Sequence, residues 1–457
     1  MENAGLKRTA IEQFHHYYRQ LYHGETGTIP GSSIHPLKEI ADASSTEIAE
    51  NLEYQRAGAE ALDHTCIIKL NGGLGTSMGL ERAKSLLEVT DGLSFLDIIT
   101  KQCLSLRKQH DCSVPLLFMN SFRTEEDTLE VIKEYPEFEA GQDGLPVSFL
   151  QNKVPRLLQE TLLPADCAED SAQEWCPPGH GDIYSALSQL GVLDLLKDKN
   201  YRYAFISNAD NLGAVLKLEI LGYFASNKIP FMMEVADRTS VDKKGGHLAC
   251  EASGALLLRE SAQCPADEVS EFQNIELYKY FNTNSLWIDI KALSKRIEED
   301  GFLKLPLIVN SKELKRPDSK QEKVFQLETA MGAAISLFEG ASALRVPRTR
   351  FAPVKKTNDL LTLRSDYFVL SEDFQVVKNK IAVENPPHVE LDPKFYSKIS
   401  DFEKRFPMGS PSLLECKSLS IVGDVVFGKN ISIEGNVEIN NSGDTPMHIE
   451  DNSKLVG

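Results

Sequence analysis

The sequence predicts an α/β protein: a mixed, largely parallel sheet covered by helices, preceded by a helical segment and followed by a short parallel β-helix. Two observations carry the core. From about residue 64, short apolar runs alternate with helical stretches and polar or glycine-bearing turns, and a glycine-rich loop directly follows the first run, in "KLNGGLGTSMGLERAKSLLEV". A third carries the tail: Leu419, Val425, Ile431 and Val437 recur every six residues, with Gly423, Gly428 and Gly435 between them, the period of stacked β-helix coils.

A chain of 457 residues exceeds one ordinary domain. We expect a mainly helical segment at 1–60, the α/β unit at 61–385 and the β-helix at 386–457, with the proline-rich "VENPPHVELDP" at the second boundary. In "MENAGLKRTAIEQFHHYYRQLYHG", Ile11, Phe14, Tyr18 and Leu21 recur at helical spacing, which predicts an amphipathic helix. Its charges deny it the apolar centre of a signal peptide, and a cytoplasmic location is expected. Ser45 or Thr46 is placed to cap a second helix in "SSTEIAENLEY".

The net charge of −18 repels polyanions, so nucleic acid is excluded as a partner and any phosphate site must be local. No apolar run approaches the roughly 18 residues of a membrane span. The eight cysteines contain no C-x-x-C pair, which predicts reduced, mostly buried thiols and neither a zinc site nor a disulfide framework.

Within the α/β unit, "CIIKL", "VPLLFMN", "PVSFLQN", "YRYAFISN" and "PFMMEVA" read as strands. The loop after "CIIKL" holds Gly72, Gly73, Gly75 and Gly79, then Lys84, and "LERAKSLLEV" reads as the helix that follows. Backbone N–H groups freed by small residues at a helix start suit a phosphate. Neither familiar phosphate motif fits, because Leu80 follows Gly79 where a P-loop needs lysine, and Met78 stands where a dinucleotide fingerprint needs its third glycine. Taken alone, the loop could also be a structural turn without ligand, the lesser of the two readings.

The same stretch resembles the nucleotide loop of eukaryotic-type UDP-glucose pyrophosphorylases. The resemblance continues in order through "FLQNKVPR", "PPGHGDIY", "ISNADNLGA", "KKGGHLA", "FNTNSLWIDI", "QLETAMGAAI" and "VPRTRFAPVKKTNDLL", over nearly the whole chain. Related acetylhexosamine enzymes would carry G-G-x-G-T-R-L-G and a proline before the lysine. Here Ser77, Met78 and Ala83 occupy those places, which favours glucose 1-phosphate.

The resemblance implies a nucleotidyltransferase-type, Rossmann-like α/β/α core, a left-handed C-terminal β-helix, and a reversible reaction. UTP and glucose 1-phosphate give UDP-glucose and pyrophosphate with Mg2+, by in-line attack on the α-phosphorus without a covalent nucleophile. It assigns Leu70, Asn71, Gly72 and Gly73 to UTP, Lys84 to the triphosphate side, Gln151 to the uracil edge and Gly179 to the base. His180 and Asn208 fall near the sugar phosphate, and Lys355 on the reacting phosphates with Lys84 as the second catalytic cation. Gly246, Asn282, Asn284 and Glu328 complete the sugar-phosphate side.

Chemistry supports several of these roles. An amide donates and accepts along a base edge, and hydroxyl-rich sugars call for amides and carboxylates. Asp210 lies where a strand's C-terminal end would present it, and magnesium often takes one carboxylate plus phosphate oxygens and water. As a regular strand, "FNTN" would put Asn282 and Asn284 on one face. Arg348, Arg350, Lys355 and Lys356 form a basic cluster in an acidic chain. Two other functions remain open: a broader UDP-sugar pyrophosphorylase, and a non-catalytic sugar-nucleotide sensor. The open sheet ends of the β-helix would allow a homo-oligomer.

Overall fold

The computed structural model describes residues 1–139, 144–167, 171–315 and 321–457. Strands form where apolar residues run unbroken, as a sheet covered on both faces requires. Eight make the main path of the central sheet: β1 Ala41–Asp42, β2 Thr65–Asn71, β3 Leu116–Asn120, β4 Ser148–Leu150, β5 Tyr203–Asn208, β6 Phe231–Asp237, β7 Tyr280–Asp289 and β8 Ser342–Arg345. Their order is β1-β8-β6-β7-β5-β2-β3-β4. All pairings are parallel except the two made by β7. The five apolar runs of the α/β unit thus each form a strand of this sheet.

Alternate residues feed two cores. Ile67, Phe118, Phe205 and Trp287 pack into one, while Cys66, Ile68, Leu117 and Ile206 pack into the other, the period-two signature of a sandwiched sheet. From β2 the chain steps outward through β3 to β4, then returns to place β5 on the opposite side of β2. That reversal opens a crevice between the carboxyl ends of β2 and β5, the place where open α/β sheets bind ligands.

Within the first sixty residues, the buried face of the first helix is not the one its spacing predicts. Helix Arg8–Tyr22 buries Ala10, Gln13, Tyr17 and Leu21, whereas Ile11, Phe14 and Tyr18 stay half-buried. The face is rotated because the helix docks on Ile183–Gln189, where the Ser185 hydroxyl donates to Gln13 Oε1. Strand β1 is an edge of the central sheet. Ser45 precedes the short helix Thr46–Ala49 without a side-chain cap bond; Asn51 caps the longer helix Leu52–Leu62 by accepting from Glu53 and Tyr54 N–H.

The helix expected in "LERAKSLLEV" is absent. The chain makes a 3-10 turn at Lys84–Leu86 and a short strand at Glu88–Thr90. Gly75 and Gly79 at φ 63 and 71 turn it sharply, and Asp127 then binds both Arg82 Nε and Ala83 N–H, pinning it in extended form. No α-helix terminus therefore follows the glycine loop to hold a phosphate.

The C-terminal segment stacks in parallel: His388–Leu391, Ser412–Val422, Ser432–Asn440 and Lys454–Val456 in one sheet, Val425–Phe427 and Met447–Ile449 in another. Leu419 pairs with Val437 and Ile421 with Ile439. Leu419, Val425, Ile431 and Val437 are all buried, so the six-residue period marks inward positions. Cys66, Cys103, Cys176 and Cys416 are buried, and Cys112, Cys250 and Cys264 partly so. Among the described residues no helix is long and apolar enough to cross a membrane.

Candidate active site

The cleft is built at the switch point. Leu70 of β2 pairs with Asn208 of β5, and the Ala209 N–H donates to the Leu70 carbonyl, so both loops leave the sheet side by side. Asn71 is buried, its amide donating to Asn120 Oδ1 and Thr128 Oγ1 at 2.9 and 2.8 Å. Its side chain therefore braces the sheet edge, and only its backbone is left for a ligand. A methyl group on Gly72 would stand 2.8 Å from Gln151 Nε2, so that glycine is what lets the amide lie over the loop.

On the other wall of the crevice, Lys84 Nζ donates to Asp210 Oδ2 at 2.6 Å. The other oxygen, Asp210 Oδ1, is buried with no hydrogen-bond partner among the described residues. The Asp210 carbonyl accepts from Val354 N–H, and Asn211 Oδ1 accepts from Ala352 N–H. These bonds tie the aspartate loop to the segment that carries Lys355.

The basic cluster splits by function. Arg350 is buried and donates from Nε and from an NH2 group to Glu234, which also accepts from Trp287 Nε1. Arg348 pairs with Asp242, and Lys356 precedes helix Thr357–Arg364, with Asp359 Oδ2 accepting its N–H. The Lys355 ammonium lies 5.7 Å from the Phe281 ring centre, close enough to Glu260 to oppose the rise of its pKa.

Beside Phe281, β7 bulges opposite Glu234 and Val235, and Asn284 takes φ 57. The irregularity overrides the regular alternation expected for "FNTN" and folds the two asparagines onto each other: Asn282 Nδ2 donates to Asn284 Oδ1, and Asn284 N–H donates to Asn282 Oδ1, both at 2.9 Å. Asn282 N–H in turn donates to the Gly246 carbonyl. Gly246 has no room for a side chain, because a methyl there would lie 2.6 Å from the Glu260 carboxylate.

Glu260 was not legible as a site residue. Burial pushes its carboxyl up to about 6, against the opposing field of Lys355. It stands in an unremarkable "LLLRES", and only its apposition to Gly246, fourteen positions upstream and already on the sugar side, would have marked it. Glu328, by contrast, ends strand Gln321–Glu328. Its carboxyl is raised by burial, against the hydrogen bond from Asn310, and a side chain on Gly179 would lie 3.0 Å from its Cβ, which places Glu328 beside the histidine loop.

His180 Nδ1 accepts from Met331 N–H at 3.0 Å, which leaves the proton on Nε2. Burial holds the imidazole down to about 4, so it is a neutral donor rather than a proton shuttle near neutral pH. Gly179 adopts φ 81, and a side chain there would strike the Thr329 backbone. Gly332, next to Met331, lies against Asn282 Nδ2, which joins the histidine loop to the asparagine pair.

A family model described as UTP–glucose-1-phosphate uridylyltransferase matches residues 11–434. The chain belongs to the UTP–glucose-1-phosphate uridylyltransferase family. The uridylyltransferase of Solanum tuberosum is 42% identical over 437 residues, spanning 95% of this chain and 88% of that one. That of Encephalitozoon cuniculi is 39% identical, spanning 95% and 85%. A point mutant of UDP-glucose pyrophosphorylase from Leishmania major, solved in complex with UDP-glucose, superposes with TM-score 0.92 at 43% identity, over 100% of this chain and 96% of that one. The Trypanosoma brucei enzyme gives 0.88 at 41%, covering 100% and 98%. The family membership and the mixed, largely parallel α/β fold expected from the motifs are therefore established.

Proposed function

We propose that UTP and glucose 1-phosphate meet at the β2–β5 crevice, where the chain performs the reaction of its family: reversible transfer of a uridylyl group to the sugar phosphate, giving UDP-glucose and pyrophosphate. The observation that supports this assignment of the site is a chain of neighbouring groups. It runs from Gln151 over Gly72, through Lys84 and Asp210, to the Lys355 segment, then to Glu260, Gly246, Asn282, Gly332 and His180. This chain of neighbours supports a single cleft shared by the family's nucleotide-side and sugar-side positions.

Gln151 offers both an acceptor and a donor to the uracil edge, with Gly179 open to the face of the base. Lys84 lies on the triphosphate side. Lys355, on the far wall, offsets charge as the sugar-phosphate oxygen attacks the α-phosphorus and pyrophosphate leaves, and a positioned cation lowers that barrier without forming a covalent intermediate. His180 donates from Nε2 to a phosphate oxygen. Asn282, Asn284 and Glu260 present amide and carboxylate groups to sugar hydroxyls, and Asn208 reaches the same substrate from the end of β5.

Among the described residues no group of three or more metal-type side chains gathers, so a protein-caged ion does not fit. Asp210 does fit Mg2+, with an unpartnered buried oxygen at the cleft and phosphates and water to complete the shell. The ion would offset triphosphate charge there. We read residues 1–60, 61–385 and 386–457 as three units, and the C-terminal parallel stacks as a short left-handed β-helix whose terminal strand is open to a second copy.

Pyrophosphate release from UTP and Mg2+ with glucose 1-phosphate, galactose 1-phosphate and N-acetylglucosamine 1-phosphate in parallel tests the reading. Release confined to glucose 1-phosphate supports it, comparable release with galactose 1-phosphate makes the enzyme a broad UDP-sugar pyrophosphorylase, and UTP binding without release makes it a sensor.

A further inference from the structure

Gln151 is a base reader with no side-chain hydrogen bond of its own among the described residues, and it follows a strand of three residues at the very edge of the sheet. One backbone bond, from Gln151 N–H to the Asn120 carbonyl, holds it from the sheet side. A primary amide presents a donor at one end and an acceptor at the other, so a small displacement or a flip exchanges the pattern that suits uracil for the one that suits cytosine. Selectivity for one pyrimidine therefore needs an anchor beyond that strand.

The anchor lies one residue on. Asp182 accepts from Asn152 N–H at 2.6 Å through Oδ2 and from Asn152 Nδ2 at 2.9 Å through Oδ1. The carboxylate is 1% exposed and forms no ion pair among the described residues. Burial raises it to about 6, with the two Asn152 bonds opposing. Asp182 also belongs rigidly to the loop that faces the other side of the base: its N–H donates to the Gly179 carbonyl, and Gly181 N–H donates to the Thr329 carbonyl. A buried unpaired carboxylate is a poor choice for stability alone.

We infer that Asp182 is a specificity-determining positioning residue that fixes Gln151 against Gly179, and so sets the selectivity of the site for uracil over other pyrimidine nucleoside triphosphates. It acts through Asn152 and touches no substrate. The inference deepens the proposed function and rests on Gln151 reading the base.

The test is the ratio of kcat/KM for UTP to that for CTP, with glucose 1-phosphate and Mg2+, in the intact protein and three variants. Asp182→Asn keeps the volume but leaves one acceptor where the carboxylate has two, so it cannot accept from both the N–H and the Nδ2 of Asn152; it is expected to lower the ratio about tenfold, the scale of losing one oriented hydrogen bond at a polar recognition site. Asn152→Ala removes only the side-chain bond and shifts the ratio the same way by less, which keeps the test intact if Asp182→Asn folds poorly. A structural defect would depress both nucleotides alike and leave the ratio unchanged. Gln151→Ala separates the two layers: if it leaves the ratio unmoved, the base-reading role fails. If it collapses the ratio while Asp182→Asn and Asn152→Ala do not, the positioning inference alone is overturned.

Discussion

Lys84 and Asp210, 126 positions apart in sequence, hold each other at 2.6 Å across the crevice between β2 and β5. The pair joins the glycine loop to the loop after β5. On the proposed reading, a triphosphate and its cation would exchange this one ion pair for two new ones.

Asp210→Asn removes the charge that a cation needs while keeping the shape. Turnover is expected to fall on the order of 10²-fold or more, with loss of saturable Mg2+ dependence. Pyrophosphate release followed against Mg2+ concentration checks this, and an unchanged Mg2+ curve would refute the metal role.

Lys355→Ala leaves the uracil and triphosphate contacts in place. We expect kcat to drop roughly 10²–10³-fold with KM for UTP changed little, as for other losses of transition-state charge stabilisation. A variant that loses UTP affinity and keeps its turnover would make Lys355 a binding residue only.

His180 should remain neutral well into acid, because desolvation holds its pKa down to about 4 from 6.5. Between those two values the unfolded chain binds the extra proton and the folded one does not. The contribution to stability is therefore full above the unfolded value and is lost as pH falls through that window. An NMR titration of the ring gives the midpoint, and one near 6.5 would contradict the assignment of Nδ1 as a buried acceptor.

Glu260 has the opposite linkage. Its folded pKa is raised to about 6 by burial, so its contribution is present below the unfolded value and lost as pH rises through the folded one. The melting temperature of Glu260→Gln minus that of the parent should therefore increase from acid to neutral pH and then level off. In kinetics the variant should raise KM for glucose 1-phosphate far more than KM for UTP. Equal effects on both substrates would remove Glu260 from the sugar pocket.

Two glycines separate binding from folding. Gly72→Ala meets only the movable end of Gln151, so it should raise KM for UTP with little change in melting temperature. Gly179→Ala meets the Thr329 backbone at a positive φ and should destabilise the fold by about 1–3 kcal/mol. Thermal denaturation of the two variants side by side checks the contrast.

The sequence alone determined five strands of the central sheet and the family, because both depend on local pattern. Unbroken apolar runs such as "CIIKL" can be buried only in a covered sheet, and the ordered motifs survive as strings whatever surrounds them. It also determined the inward positions of the C-terminal stack, since a six-residue repeat is itself local. Tertiary structure decided the rest. "LERAKSLLEV" has helical propensity, but Asp127 and the left-handed glycines hold it extended. Arg350 and Lys355 are both cations five residues apart, yet the first is buried on Glu234 while the second lies over Phe281. The bulge at Asn284, the apposition of Glu260 to Gly246 and the Asp182–Asn152 clamp depend on partners far away in the chain or on backbone irregularity. Propensity and spacing cannot express such contacts, because their energies exist only once the sheet has brought the segments together.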